Sequence, residues 1–183
     1  VGSTAWRAEV GDASADRLRE PFDDLLAAAV VEHHGTVVKG LGDGIMAIFH
    51  SATSAVEGAI AIQRAVELEH RSTTSARLHV RVGLSVGDVQ ARGNDVHGLP
   101  VVEAARLCAA ADGGRILCHA MVQWLAGSRI DTRFLTAGDL ELKGLPAAIP
   151  VCEILWEPAG APTPMPLALV RDEQFSFVGR EVE

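Results

Sequence analysis

The sequence predicts an α/β sandwich (an α+β arrangement in two layers) built on one domain. Three observations predict it. The chain has 183 residues, of which 48% are hydrophobic, enough to bury one full-sized core. Stretches of helical periodicity alternate with strand-like runs in the order helix, strand, strand, helix, strand. A second layer of smaller elements follows and closes at "PVCEILW".

The first helix is expected over 13–34, where Leu18, Phe22, Leu25, Leu26, Ala29 and Val30 recur at helical spacing. Asp12 is placed to cap its start and Gly35 to stop its end. Pro21 lies inside the pattern, so the helix is expected to start near it or to bend there. "TVVKG" and "IMAIF" read as two strands joined through "LGDG". A second helix is expected from about 51 to 70, with Val56, Ala59, Ile60, Gln63 and Val66 on one face. "RLHVRVGLSVGDV" alternates, Leu78, Val80, Val82, Leu84 and Val86 facing one way, and reads as one long half-buried strand. "ARGNDVHG" reads as a polar, flexible connection. "LPVVEAARLCAAA" reads as a helix with Pro100 in its first turn, where proline is tolerated. "RILC", a short helix around "MVQWLAG" and three short strands complete the domain. The order is that of a ferredoxin-like β-α-β-β-α-β core with its first strand truncated, plus a small C-terminal subdomain. The protein is therefore expected to extend upstream of Val1 by at least a strand. Residues 1–156 form the domain, and the proline-rich stretch 157–174 reads as a linker.

Charge and composition exclude several classes. Net charge is −8, from 16 Lys and Arg against 24 Asp and Glu, so no basic face for nucleic acid is expected. No apolar run approaches the roughly 18 residues of a membrane span. No signal peptide is visible, and a cytoplasmic location is expected. Cys108, Cys118 and Cys152 lack C-x-x-C spacing and are expected as reduced thiols. His33 and His34 point in different directions if helical, and read as a solvated helix end rather than a zinc site.

One short segment carries a chemical question. "VVKGLGDGIMAIF" places Lys39 and Asp43 in an otherwise apolar run. A carboxylate held in a Gly-Asp-Gly turn is a good ligand for Mg2+ or Mn2+, hard ions that prefer oxygen and share it with phosphates. The plainer alternative is an ordinary Asp-Gly hairpin turn.

The motifs "VGST", "KGLGDG", "DVHG…VEAARLCAAA" and "ELKGLP" occur in the order found in class III adenylate and guanylate cyclases. Over about residues 1–156 the chain resembles the cyclase homology domains of bacterial multidomain regulators, and "FVGRE" within 175–183 resembles the start of a P-loop NTPase module. The resemblance implies an adenylate cyclase-like domain that turns ATP into 3′,5′-cyclic AMP and pyrophosphate with two metal ions, at the interface of a head-to-tail homodimer. Asp43 matches the second metal aspartate; the first would lie upstream of Val1. Val1, Gly2, Ser3 and Thr4 match the loop whose amides meet the phosphates. Lys39 and Asp95 match the pair that reads the purine; a donor to N1 and an acceptor from the 6-amino group select adenine. Arg106 matches the arginine that stabilises charge in the transition state, and Lys143 a lysine that contacts the phosphates. Each also has a plainer reading: a snorkelling lysine, an Asn-Asp turn, a solvated helix arginine, a surface strand lysine.

Two positions depart from the family. Val102 stands where the family carries an asparagine that orients the ribose, and valine offers no hydrogen bond. Weak activity is expected, since a lost transition-state donor costs about 10²–10³ in rate. The plainer reading makes Val102 a core residue of its helix. His97 stands where the family often has an aromatic ring. The alternative function is a degenerate cyclase-like domain that binds nucleotide or a partner and regulates an attached ATPase.

Overall fold

A computed structural model describes residues 12–42, 44–72 and 79–159; the side chains of 12–19 and 72 are not part of that description. Val1, Gly2, Ser3, Thr4 and Asp43 lie outside it, as do the residues from 160 onward.

Helix α1, Asp12–Glu32, leads into the hairpin of β1 (Gly35–Gly40) and β2 (Ile45–Phe49). Helix α2, Ala52–Ser72, precedes β3 (Val82–Leu84). A second hairpin, β4 (Gln90–Arg92) and β5 (Asp95–His97), leads into α3 (Leu99–Ala110). Strand β6 (Ile116–His119), the short helix α4 (Ala120–Ala126), a 3-10 turn at Gly127–Arg129, β7 (Phe134–Leu140) and β8 (Ile149–Ile154) follow. The main sheet runs β3-β6-β8-β7, with β3 and β6 parallel and the other pairs antiparallel. Helix α3 makes the crossover that two parallel neighbours require. The β1–β2 hairpin forms its own ladder among the described residues.

Several expectations are corrected here. Helix α1 passes through Pro21 without interruption. Its chain reversal falls to His34, at φ +61°, and Gly35 already belongs to β1. Gly35 is needed for space instead: a Cβ there would stand 2.5 Å from the Phe49 ring, and one at Gly58 would stand 2.8 Å from it. Of the long strand expected over 77–89, residues 77 and 78 lie outside the described residues, and over 79–89 it shrinks to the three residues of β3. Among the described residues its ladder partner is β6, a four-residue strand, and Gly87 at φ +156° then turns the chain. The connection "ARGNDVHG" is an ordered hairpin, with Gly93 at φ +60° in the first position of its two-residue turn. Among the described residues two strands, not three, close the domain, because β7 continues through a bulge between Thr136 and Gly138.

Three apolar clusters hold the layers. Val56, Ala59 and Ile60 of α2 pack on Ile116, Cys118, Cys152 and Ile154 of the sheet. Ile62 and Val66 of α2 meet Leu26, Ala29 and Val30 of α1, beneath Val37 and Phe49 of the hairpin. Leu107 and Ala111 of α3 cover Leu117, Ile149 and Val151. Gln63 is buried, but its amide donates to the carbonyls of Val80 at 3.1 Å and Arg115 at 3.4 Å, so it is paired as a buried polar group must be. Cys118 and Cys152 face each other across β6 and β8, and burial pushes the Cys118 thiol up to about 12.

Helix α3 lies directly on β3 at Gly83. A Cβ at that position would fall 2.2 Å from the Ala104 carbonyl oxygen and 2.3 Å from the Cys108 nitrogen. Both are backbone atoms that cannot swing aside. Gly83→Ala is therefore expected to destabilise the domain by about 1–3 kcal/mol through overpacking, read as a lowered midpoint in thermal or urea unfolding; an unchanged midpoint would show that α3 floats above the strand.

Candidate functional site

Lys39 reaches the surface because β1 is irregular. Val37 packs inward against the α1–α2 cluster, and strict alternation would send Lys39, two residues on, to the same face. The ladder instead shifts register between Val37 and Lys39. The bulge re-aims the lysine outward, where its side chain is 41% exposed. The turn beyond it closes with Leu41 N–H donating to the Gly44 carbonyl at 2.7 Å, and Gly42 takes φ +90°.

Asp95 arrives from the other hairpin, 56 residues away. Its Oδ2 accepts from Lys39 Nζ at 2.5 Å. Its Oδ1 accepts from the Val96 amide at 2.8 Å. His97 Nε2 stands 3.8 Å from Oδ2. The Lys39 hydrogen bond holds the Asp95 carboxyl below the usual carboxylate range against the opposing effect of desolvation, with the Val96 amide and the Lys39 charge adding to the lowering.

Gly98 follows at φ +147° and starts α3, with Pro100 in the first turn. Val102 and Arg106 are both exposed on that helix, Val102 at 42%. One turn apart, they share a face. The reading of Val102 as a core residue is thus corrected: Leu107 and Glu103 are the buried residues of α3. Glu103 escaped the sequence reading. It is buried and accepts from Ser85 Oγ at 2.5 Å, which ties the helix to the segment after β3. A lone glutamate beside alanines gives no sequence cue to such a pairing.

Lys143 sits in a tight turn closed by Leu145 N–H donating to the Leu142 carbonyl at 3.1 Å. Gly144 holds the third position at φ +86°, as a type II turn demands. Leu142 and Leu145 anchor the turn on the α3 cluster, leaving Lys143 exposed. Arg106 Nη2 lies 3.8 Å from where a Gly144 Cβ would be. The fold therefore makes two charged groupings: Lys39 with Asp95, and Arg106 beside the Lys143 turn. Among the described residues no three His, Cys, Asp or Glu side chains stand together as a metal site. Asp43 lies outside the described residues, and the described side chains alone do not supply the oxygen set that Mg2+ or Mn2+ takes.

No family model matches the sequence. The Rhizobium meliloti (strain 1021) protein named "Putative adenylate cyclase 3" is 35% identical over 138 residues, 75% of this chain. A solved Adenylate/Guanylate Cyclase/Hydrolase from Silicibacter pomeroyi superposes with a TM-score of 0.67 at 28% identity, covering 76% of this chain and 83% of that one. The chain belongs to the class III adenylate/guanylate cyclase catalytic-domain family. The adenylyl cyclase CyaB from P. aeruginosa shares the cyclase fold at a TM-score of 0.70 and 17% identity, covering 84% and 88% of the two chains. This cyclase domain spans 23% of the length of the Rhizobium relative. Among its described residues, no helix is long and apolar enough to cross a membrane.

The lowered Asp95 pKa has a defined pH consequence. A depressed carboxylate contributes stability above its unfolded value, lost as pH falls through the lower folded value. The Lys39–Asp95 pair is therefore expected to stay charged from neutrality down past the ordinary aspartate value of 3.8. Lys39→Met should raise the Asp95 midpoint toward that value in a carboxyl-carbon NMR titration; an unmoved midpoint would show that the lysine is not its partner in solution.

Proposed function

We propose that this domain is an adenylate cyclase of low activity, which converts ATP into 3′,5′-cyclic AMP and pyrophosphate. The observation that carries this reading is the Lys39–Asp95 contact. It sets an ammonium donor beside a carboxylate acceptor at a partly exposed position. The Watson–Crick edge of adenine offers the complement, N1 as acceptor and the 6-amino group as donor, whereas guanine offers N1–H and O6 in the opposite sense. Lysine carries three donors, so it can keep Asp95 and still reach N1.

In the reaction the ribose 3′ oxygen attacks the α-phosphorus, its proton leaves, and the bond to the pyrophosphate oxygen breaks. Negative charge grows on the phosphate oxygens. Arg106, whose guanidinium lies beside the Gly144 turn, and Lys143 within that turn are proposed to supply positive charge of the kind that stabilises such a transition state. Asp43 is proposed to bind Mg2+ or Mn2+, and Gly2, Ser3 and Thr4 to meet the phosphates. These groups are proposed to be completed across a head-to-tail homodimer, with a second metal carboxylate from upstream of residue 1. ATP is the proposed small-molecule partner, and an attached ATPase module the proposed regulatory one.

Val102 supports the low activity. It is exposed on the Arg106 face and presents two methyl groups where the family's asparagine would hold the ribose. The same observation favours a second reading, a nucleotide-binding domain without turnover. In the chain extended upstream, Val102→Asn is expected to raise kcat about tenfold or more with little change in apparent affinity, in a cyclic AMP assay with Mn2+. Because the site is exposed, its unfolding midpoint should move little, as surface changes usually cost within about 0.5 kcal/mol. No product from either form, with ATP binding intact in calorimetry, would leave the second reading. Calorimetry should also show tighter ATP than GTP; equal or reversed affinities would remove the purine assignment.

A further inference from the structure

Helix α2 has a face that neither the sheet nor the hairpin uses. With a turn of about 100° per residue, Arg64, Leu68 and Arg71 cluster within about 60° of each other. They lie about 180° from Ile62 and Val66, the residues that pack under the hairpin. Along this outer face runs the chain leaving β8. Arg64 Nε donates to the Glu157 carbonyl at 3.0 Å, and Arg71 Nη1 donates to the Ala159 carbonyl at 3.2 Å. The exit is anchored further by Trp156 Nε1, which donates to the Gly114 carbonyl at 2.7 Å. Leu68 stands between the two arginines and remains 60% exposed even with residues 157–159 in place.

We propose that this face of α2 is the docking surface for the chain's own next segment, residues 160–170. Three features of the sequence fit that occupant. The eleven residues from Gly160 to Val170 carry no charge and include Met165, Leu167, Leu169 and Val170. Their attachment at Ala159, already pinned beside Arg71, delivers those apolar side chains to Leu68 at a high effective concentration. Pro162, Pro164 and Pro166 favour an extended polyproline form, whose carbonyls make no internal hydrogen bonds. Such carbonyls are the groups that Arg64 and Arg71 already bind at 157 and 159, and a guanidinium has five N–H donors to offer. Docking on α2 links whatever follows residue 170 to the hairpin that carries Lys39, because the opposite face of the helix packs beneath it.

Limited digestion of the full chain by chymotrypsin, followed by intact mass, tests this. The bonds after Leu167 and Leu169 are expected to be cut slowly in the native chain. Leu68→Glu, and separately Arg64→Ala with Arg71→Ala, should speed that cutting about tenfold or more while the circular dichroism spectrum stays unchanged, since proteolysis follows the population of the released form. Equal cutting in the native chain and both variants overturns the proposal. So does a Leu68→Glu change that alters sedimentation but not cutting, which would mean that a second copy covers the face.

Discussion

The arrangement of this domain depends on one close contact, the seating of α3 on β3 at Gly83. No Cβ fits between that strand and the backbone at Ala104 and Cys108. The helix is held at a fixed height and rotation, and Leu107 fills the interior below it. Ser85 and Glu103 add a short polar tie at the same junction. What is exposed on α3 follows from what is buried. With Glu103 and Leu107 turned inward, Val102 and Arg106, each one residue back and so about 100° round the helix, fall on its flank, where both are exposed. The β7–β8 turn leans on the same cluster through Leu142 and Leu145, so Lys143 and Arg106 are placed by a common packing surface.

The Lys39–Asp95 pair depends on a different kind of constraint. Neither residue sits in the main sheet. Each comes from a two-stranded ladder, one with a bulge and one with a glycine turn. Backbone irregularity is what turns the lysine away from the core. The pair is partly exposed, so its energetic value to the fold is small. Its value is positional: donor and acceptor stand side by side, already charged, at the same edge of the domain. Under the proposed function, a nucleotide arriving there would find polar partners that need little reorganisation, the condition under which electrostatic recognition is most effective.

Helix α2 joins these regions. Its three faces meet the sheet, the hairpin with α1, and the departing chain.

The sequence by itself determined the order of the main elements, the burial of Val56, Ala59, Ile60, Gln63 and Val66 on α2, and the motifs that assign the family. These are local or periodic properties, readable from spacing alone. The Gly93-Asn94 dipeptide was also a hairpin signal, hidden by the polarity around it. Other features were decided only by the tertiary structure. The length of β3 was set by its partner, since a strand extends only as far as its ladder. The path of α1 through Pro21 was set by the packing of Leu26, Ala29 and Val30, which outweighs a local helix breaker. The exposure of Val102 was decided by Gly83 and Glu103, because two adjacent valines on a helix are indistinguishable until something fixes its rotation. The outward turn of Lys39 was decided by a bulge, which no period-two reading can place, since it exists only when a second strand is there to be mismatched.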